Sequence, residues 1–331
     1  MNTIGFYGVN RSQKDDIIYG GDIYNRLVVK CLEESYSVDT IPTVQNIRKS
    51  VLNGLSNMIT LALMEGKRDL WVRDFYSMLS LRIDNTKGKN IALIHHIDSS
   101  VLSYPRLNKL LEAVFYRNLK YIDAMVTGAQ CWKEHFERHG VEHVEVIYSP
   151  FDFWQYIRTE EEIEKFKDKY ELNSKPIIYL GNCQKAKGVV EAYRALKDMD
   201  AHLVTSGKKD VDLPAKHLEL DFHEYITLLH ASAVVVTMSL FKEGWCRTAH
   251  EAMLCRTPVV GSGLGGMGEL LDHGGQIICK EFNKLVEQVE HALENEIIGK
   301  KGYEFATQDL FSIPHFQKRW TDLVFHIMDS H

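Results

Sequence analysis

From Ala231 to Leu271 the chain twice runs an apolar, β-branched stretch into a loop that opens a helix. The first stretch, Ala-Ser-Ala-Val-Val-Val-Thr-Met, ends at Met238; Glu243-Gly244 breaks the pattern, and a helix can begin near Thr248. Pro258 stops that helix, because it has no amide to donate to the preceding turn. Val259-Val260 then form a second buried strand, and Gly261, Gly263, Gly265, Gly266 and Gly268 supply a permissive loop before Glu269 and Leu270. Unbroken apolar runs of this kind suit strands buried on both faces of a parallel sheet. In such a sheet, ligands bind at the loops beyond the carboxyl ends of the strands.

The alternation of strand and helix extends over the whole chain. In the first half, strands are expected at Thr3–Tyr7, Tyr36–Val38, Asp69–Phe75, Asn90–Ile94, Ala124–Thr127 and Val144–Tyr148. Helices are expected from Gly21-Asp22 onward, over 44–68 on the four-residue rhythm of Val51, Leu55, Ile59 and Leu63, and over Leu107–Tyr121 and Trp132–His139. In the second half, Ile177–Leu180, Ala201–Ser206, His217–Phe222 and Gln276–Cys279 read as strands; 223–229, Phe282–Glu294 and His315–Met328 read as helices. At 331 residues the chain is too long for one ordinary core. Pro150 and the acidic stretch after it mark a boundary. The expected fold is therefore α/β, with two doubly wound Rossmann-like domains at 1–152 and 153–314 and a terminal helix at 315–331.

Bulk properties exclude several classes. A formal net charge of -6 argues against a nucleic-acid binder, which would show a basic excess. The opening Met-Asn-Thr-Ile-Gly-Phe-Tyr-Gly lacks the basic and apolar regions of a signal peptide, and no apolar run approaches the ~20 residues that span a bilayer. The six cysteines (31, 131, 183, 246, 255 and 279) form no C-x-x-C pair, so reduced thiols in a cytoplasmic protein are expected rather than a zinc site or disulfide framework. Cys246, in the loop before the Thr248 helix, reads as small packing.

Four elements carry chemistry. Glu243 and Glu251 bracket the short helix, although Thr248-Ala-His-Glu251 is also the pattern of a capping box, in which Glu251 would serve only the helix end. The strand Ile177–Leu180 enters Gly181-Asn182-Cys-Gln-Lys185-Ala-Lys187-Gly188 and then a helix; a cation beside a helix N-terminus suits a pyrophosphate. Gly20-Gly21 precede another helix after a strand and make a second anion-type turn. His95-His96 stand at a strand's carboxyl end, and alternation turns one of them away from whatever the other faces.

Glu243-x7-Glu251 followed by Pro-Val-Val-Gly-Ser-Gly-Leu-Gly-Gly resembles the signature of the retaining GT-B glycosyltransferases of group 1 (glycosyltransferase family 4). The resemblance is dense from about 177 to 271 and holds in outline elsewhere. It implies two Rossmann-like domains facing a cleft, an N-terminal one for the acceptor and a C-terminal one for the nucleotide-sugar. It implies transfer of a hexose-type sugar to a hydroxyl with retention of configuration, in cell-surface polysaccharide or glycoconjugate synthesis. By the same resemblance Glu243 contacts the transferred sugar, Glu251 holds the ribose hydroxyls, and Lys187 takes the lysine place of the family's G-R-L-x-x-x-K-G element. Asn182 stands in the arginine place, where it lacks the cationic fork. The amides after Gly244 and at Gly265 and Gly266 would stabilise the departing diphosphate, the Gly21 loop would approach donor phosphate or acceptor, and His96, with His95 as the alternative, would lie beside the sugar. No cofactor and no metal are implied; the donor would be UDP- or GDP-linked and the acceptor a glycan or lipid-linked hydroxyl. Peripheral contact at the inner membrane face is implied for lipid-linked acceptors, through the basic side of Leu107–Tyr121, which a simple solvated face also explains. Two alternatives remain open: a silent sugar-nucleotide-binding subunit, for which Asn182 speaks, and a GT-B sugar-nucleotide epimerase.

Overall fold

The computed structural model describes residues 2–8, 20–41, 63, 65–97 and 105–329. The chain divides into two compact units, Met1–Ser149 with Ile313–His331, and Pro150–Ser312. The first holds strands β1 (Thr3–Tyr7), β2 (Ser37–Ile41), β3 (Glu65–Arg73), β4 (Asn85–Leu93), β5 (Ala124–Thr127) and β6 (Val144–Val146) in one parallel sheet of order β2-β1-β3-β4-β5-β6. Its helices are α1 (Gly20–Leu32), α2 (Phe75–Ser80), α3 (Pro105–Asn118), α4 (Gln130–Arg138) and the last helix of the chain, Ile313–Asp329.

The core of this unit forms where period-two and period-3.6 patterns meet. Ile4 and Phe6 of β1, Leu70 and Val72 of β3, Ile91 and Leu93 of β4 and Val126 of β5 face Tyr24 and Val28 of α1 and the Phe316, Trp320, Val324 and Ile327 stripe of the last helix. Tyr24 joins the layers: its ring stands edge-on to Phe316 at 5.1 Å, its hydroxyl donates to the Ile147 carbonyl (2.9 Å), and the Trp320 indole N–H donates to it (3.3 Å). Burial raises the Tyr24 hydroxyl far above the ordinary phenol range, so it stays a neutral donor.

Two sequence expectations fail in this unit. Residues 65–68 are strand, not the end of a helix, because Glu65, Gly66 and Lys67 pair with Asn85, Thr86 and Lys87 of β4 and ladder hydrogen bonds outweigh the helical rhythm. The remainder of the helix expected over 44–68 lies outside the described residues except for Leu63, which is in a turn. The strand expected to reach Phe75 stops at Arg73, because the Asp74 side chain accepts from the Ser77 amide (2.8 Å) and caps α2. Arg73 is wholly buried there: its guanidinium pairs with Asp84 at 2.9 Å and donates to Asn90 Oδ1 (2.7 Å), Thr86 Oγ1 (2.5 Å) and the Ser77 carbonyl (3.1 Å).

The second unit runs α5 (Glu160–Lys169), β7 (Ile177–Asn182), α6 (Val189–Leu196), β8 (His202–Ser206), β9 (Lys216–Leu218), α7 (Phe222–Ala231), β10 (Val234–Thr237), α8 (Arg247–Leu254), β11 (Val259–Gly261), α9 (Gly266–His273), β12 (Ile277–Ile278), α10 (Leu285–Glu294) and α11 (Glu296–Ala306). Its parallel sheet has the order β12-β11-β10-β7-β8-β9, so the apolar runs β10 and β7 lie at the centre, buried on both faces. The strand expected over 217–222 ends at Leu218, because Asp221 accepts from the Glu224 amide (2.8 Å) and starts α7. Helix α11 has no clear sequence signature, since Gly299 and Gly302 weaken its propensity; both are close-packed, Gly299 beneath the Arg256 carbonyl and Gly302 beside Gln276.

His250 anchors α8 from behind. Its Nε2 donates to the Ala306 carbonyl (3.1 Å), its Nδ1 accepts from the Trp245 indole (3.3 Å), and Phe151 stacks on the ring at 4.0 Å. Burial pushes its pKa down to about 3, so the folded state holds it neutral. A folded pKa below the unfolded value of roughly 6.5 contributes stability that is fully present above that value and is lost as pH falls toward the folded pKa. The melting temperature is therefore expected to drop as pH falls from about 6.5 through 4, and His250→Gln to flatten that slope. His95, held down at about 4 by burial and then by His96, leaves a residual slope in the first unit. An unchanged slope in the variant contradicts this assignment.

Candidate functional site

Three adjacent strands, β7, β10 and β11, empty into loops that are tied to one another. The loop after β7 forms a 3-10 turn at Lys185–Lys187 and a left-handed Gly188 (φ 68°) before α6. It is joined to the loop after β10 by the Leu240 amide, which donates to the Ala186 carbonyl (3.0 Å). A Cβ on Gly188 would stand 2.1 Å from the Met238 carbonyl oxygen, so only glycine lets these loops approach. The β10 loop is in turn zipped to the β11 loop: the Glu243 amide donates to the Leu264 carbonyl (3.2 Å) and the Gly266 amide to the Glu243 carbonyl (2.9 Å).

Gly265 (φ 68°) is the tooth of that zip. A Cβ there would meet the Glu243 carbonyl oxygen at 2.4 Å and its nitrogen at 2.8 Å. Gly265→Ala combines a disfavoured left-handed backbone with a clash against main chain, at a cost of about 2–5 kcal/mol. A lowered melting temperature with loss of nucleotide binding is expected; an unchanged melt would contradict the zip. Gly266 opens α9, but its amide is committed to Glu243 and is not offered to a ligand in this arrangement, contrary to the role expected for it. Gly244 is buried in the turn that follows Glu243.

The loops bring Lys187 and Glu243 together. Lys187 Nζ lies 2.5 Å from Glu243 Oε1 and 4.9 Å from the centre of the Phe241 ring. Ser239 Oγ donates to the same carboxylate oxygen at 2.5 Å. Glu243 is 6% exposed. Burial opposes the Lys187 charge, but the neighbouring carboxylate outweighs it and raises the amine above its ordinary value, so the amine stays protonated at neutral pH. Asn182 ends β7 with its side chain against Gly207, and Gly181, Asn182, Lys187, Thr237, Ser239 and Thr248 line a small pocket. Cys246 also lines it, and its thiol is pushed up to about 12 by burial and by Glu243, which leaves it protonated and unsuited to nucleophilic attack.

Glu251 does not cap its helix. The N-cap of α8 is Cys246 and makes no side-chain cap bond, whereas the same T-x-x-E pattern does form a capping box at Thr159 and Glu162. Glu251, 6% exposed, instead accepts from Tyr225 (2.8 Å, Oε2), Arg247 (3.2 Å, Oε1) and Tyr156 (3.3 Å, Oε1). Arg247 was legible as a helix neighbour four positions before Glu251. Ser239, Tyr156 and Tyr225 carried no sequence signal; the two tyrosines lie 95 and 26 positions away.

In the first unit, His95 and His96 are separated by burial. His96 is exposed, whereas His95 is half-buried with Nε2 at 2.9 Å from Asn25 Oδ1 and its ring edge-on to Tyr24 at 4.9 Å. Gly21, in the first turn of α1, lies so close that a Cβ would stand 3.2 Å from the His95 ring. The Gly21 turn and His95 thus share one place. Along α3 and the turn after it, Lys109, Arg117 and Lys120 are exposed.

Among the described residues, no group of three or more His, Cys, Asp or Glu side chains could hold a metal ion, and no helix is long and apolar enough to cross a membrane. The chain contains Asp-x-Asp at 198–200 and 210–212, and ion pairs occupy three of these four acids: Asp200 with Lys175 (2.6 Å), Asp210 with Lys208 (2.7 Å) and Asp212 with Lys209 (2.8 Å). All six cysteines are free thiols.

Residues 160–308 match the family described as glycosyl transferases group 1. An uncharacterized glycosyltransferase of Methanocaldococcus jannaschii is 28% identical over 149 residues, 39% of this chain and 42% of that protein, so the match spans less than half of that relative. Among solved structures, sucrose-phosphate synthase from Thermosynechococcus elongatus superposes with a TM-score of 0.78 at 16% identity, over 100% of both chains. HepE from Anabaena, in complex with UDP-glucose, gives 0.73 at 16% over 98% of this chain and 100% of its own. WaaG, a glycosyltransferase involved in lipopolysaccharide biosynthesis, gives 0.68 at 12% over 99% and 100%. From 160 to 308 the chain is similar in sequence to the group 1 glycosyl transferases, and from end to end it has the GT-B fold of two parallel-sheet units.

Proposed function

We propose that this chain is a glycosyltransferase that moves a hexose-type sugar from a nucleotide-diphosphate sugar to a hydroxyl of a glycan or lipid-linked acceptor, with retention of configuration. The observation that carries the reading is the Lys187–Glu243 pair, its carboxylate buried and its ammonium partly exposed where three loops meet at the carboxyl edge of the sheet. Breaking the bond to the anomeric carbon leaves negative charge on the diphosphate, and a preorganised ammonium stabilises it without reorganisation at the moment of reaction. Glu243, fixed by Ser239, would take the hydroxyls of the sugar, and Glu251 those of the ribose. His96 would serve beside the sugar, with His95, which Asn25 holds, as the alternative. Metal independence follows from Lys187 supplying the cation. The UDP and UDP-glucose complexes of HepE favour a UDP-linked donor, and the family suggests cell-surface polysaccharide or glycoconjugate synthesis in the cytoplasm, at the membrane face where the acceptor is lipid-linked.

The test is incubation with UDP-, GDP- and ADP-sugars and a panel of glycan and lipid-linked acceptors, with and without a chelator, following nucleotide release and product configuration by proton NMR. A product of retained configuration, formed at the same rate with chelator, is expected. An inverted product or an epimerised donor without transfer would overturn the reading. Donor bound but never cleaved would favour a silent binding subunit, which the missing cation at Asn182 would then explain.

A further inference from the structure

In the first unit, the end of α4 and the helix beside it gather two histidines and a tyrosine. His135 and His139 stand four positions apart, so they share one face of α4 and its C-cap. Their ring centres lie 4.4 Å apart, and Tyr116 of α3 stacks on His139 at 4.5 Å. The helix end fixes one tautomer. The His135 carbonyl is among the last of α4, which lack an amide partner within the helix. It accepts instead from His139 Nδ1, at 2.7 Å. A carbonyl can only accept, so neutral His139 carries its proton on Nδ1 and its lone pair on Nε2. His139 is exposed and His135 half-buried, with His135 Nε2 2.8 Å from the Tyr116 hydroxyl.

We propose that His135 and His139 together bind one divalent transition-metal ion through their Nε2 atoms, and that the Tyr116 hydroxyl competes with the ion for His135. Imidazole is a ligand such ions favour, and a separation of four residues on one helix face lets a single ion reach both rings. The bond from His139 Nδ1 to a carbonyl is the outer contact that orients a metal-binding imidazole. Two protein ligands are fewer than close a structural zinc site, so water completes the shell and the ion exchanges with solution. Nitrogen sites favour copper(II) over nickel(II) and zinc(II), and the pair should follow that order. A helix that joins parallel strands runs back against them. The C-terminus of α4, between β5 and β6, therefore lies at the amino edge of the sheet, opposite the loops that carry Gly21 and His95. An ion there steadies the helix end and takes no part in sugar transfer.

Calorimetric titration of the tag-free full chain with copper(II), nickel(II) and zinc(II) tests it, with each variant checked for an intact fold by its melt. One ion per chain is expected, copper(II) the tightest, with an electron paramagnetic resonance spectrum that shows two nitrogen ligands. His139→Ala should bind ~10-fold or more weakly and show one nitrogen, since losing even an outer contact of a metal ligand costs about that much. His143→Ala, a control whose ring lies against Glu145 and His326, should bind as the parent does. Tyr116→Phe should bind ~3–10-fold more tightly, the range for removing one competing hydrogen bond. No binding, undiminished binding in His139→Ala, a loss in His143→Ala as large as that in His139→Ala, or an affinity that does not rise in Tyr116→Phe would overturn the proposal.

Discussion

Replacing Lys187 with methionine is expected to lower sugar transfer by ~10²–10³, the range for removing one preorganised group that stabilises developing charge. The effect has two sources. The ammonium that would meet the departing diphosphate is gone, and Glu243, 6% exposed, is left without the cation 2.5 Å away. A buried carboxylate deprived of its partner pays for its desolvation alone, so the variant should also melt earlier than the parent chain. Glu243→Gln separates the two, since it leaves the ammonium without a counter-charge but keeps a polar group beside Ser239. Nucleotide affinity should fall in Lys187→Met and be largely kept in Glu243→Gln, while transfer falls in both. Equal nucleotide affinity in the parent and Lys187→Met would contradict the assignment of Lys187 to the diphosphate.

The second large effect concerns stability. Arg73 and Asp84 form a fully buried pair, with side-chain exposures of 0% and 1%, and all three guanidinium nitrogens donate hydrogen bonds. Removing one partner strands a charge in the interior, and about 3–5 kcal/mol is the expected cost for either Arg73→Met or Asp84→Ala. At roughly 2–4 °C per kcal/mol for a unit of this size, the first unit should melt on the order of 10 °C lower. The double variant should cost much less than the sum, because no charge is then left alone. Additive losses would mean that the two side chains act independently, which their 2.9 Å contact does not allow.

The parallel sheets were legible because their strands are short apolar runs bounded by glycine and proline, and burial on both faces leaves little else for such runs to do. Glu243, Gly265 and Lys187 were legible because each lies in a loop whose conformation depends on local residues. Tertiary competition erased the signal elsewhere. Thr248-x-x-Glu251 and Thr159-x-x-Glu162 are the same pattern, yet only the second caps a helix; the first surrendered its carboxylate to Tyr156, Tyr225 and Arg247. No local rule could distinguish them, because two of those donors arrive from distant positions. Residues 65–68 became strand for the same reason: their partner, Asn85–Lys87, lies outside any window in which the helical rhythm is read. The contact of His95 with Asn25 and Gly21 of α1 likewise left no local signal.

A thermal-shift titration of the intact chain with UDP, GDP, ADP and their common sugars tests the donor site most directly, because a ligand that binds only the folded state raises the melting temperature by mass action. A clear rise with one nucleotide, abolished in Glu251→Ala while the variant's own melt shows an intact fold, is the expected result. No rise with any nucleotide, or a rise that survives Glu251→Ala and Lys187→Met unchanged, would contradict the assignment of Lys187, Glu243 and Glu251 to a nucleotide-sugar.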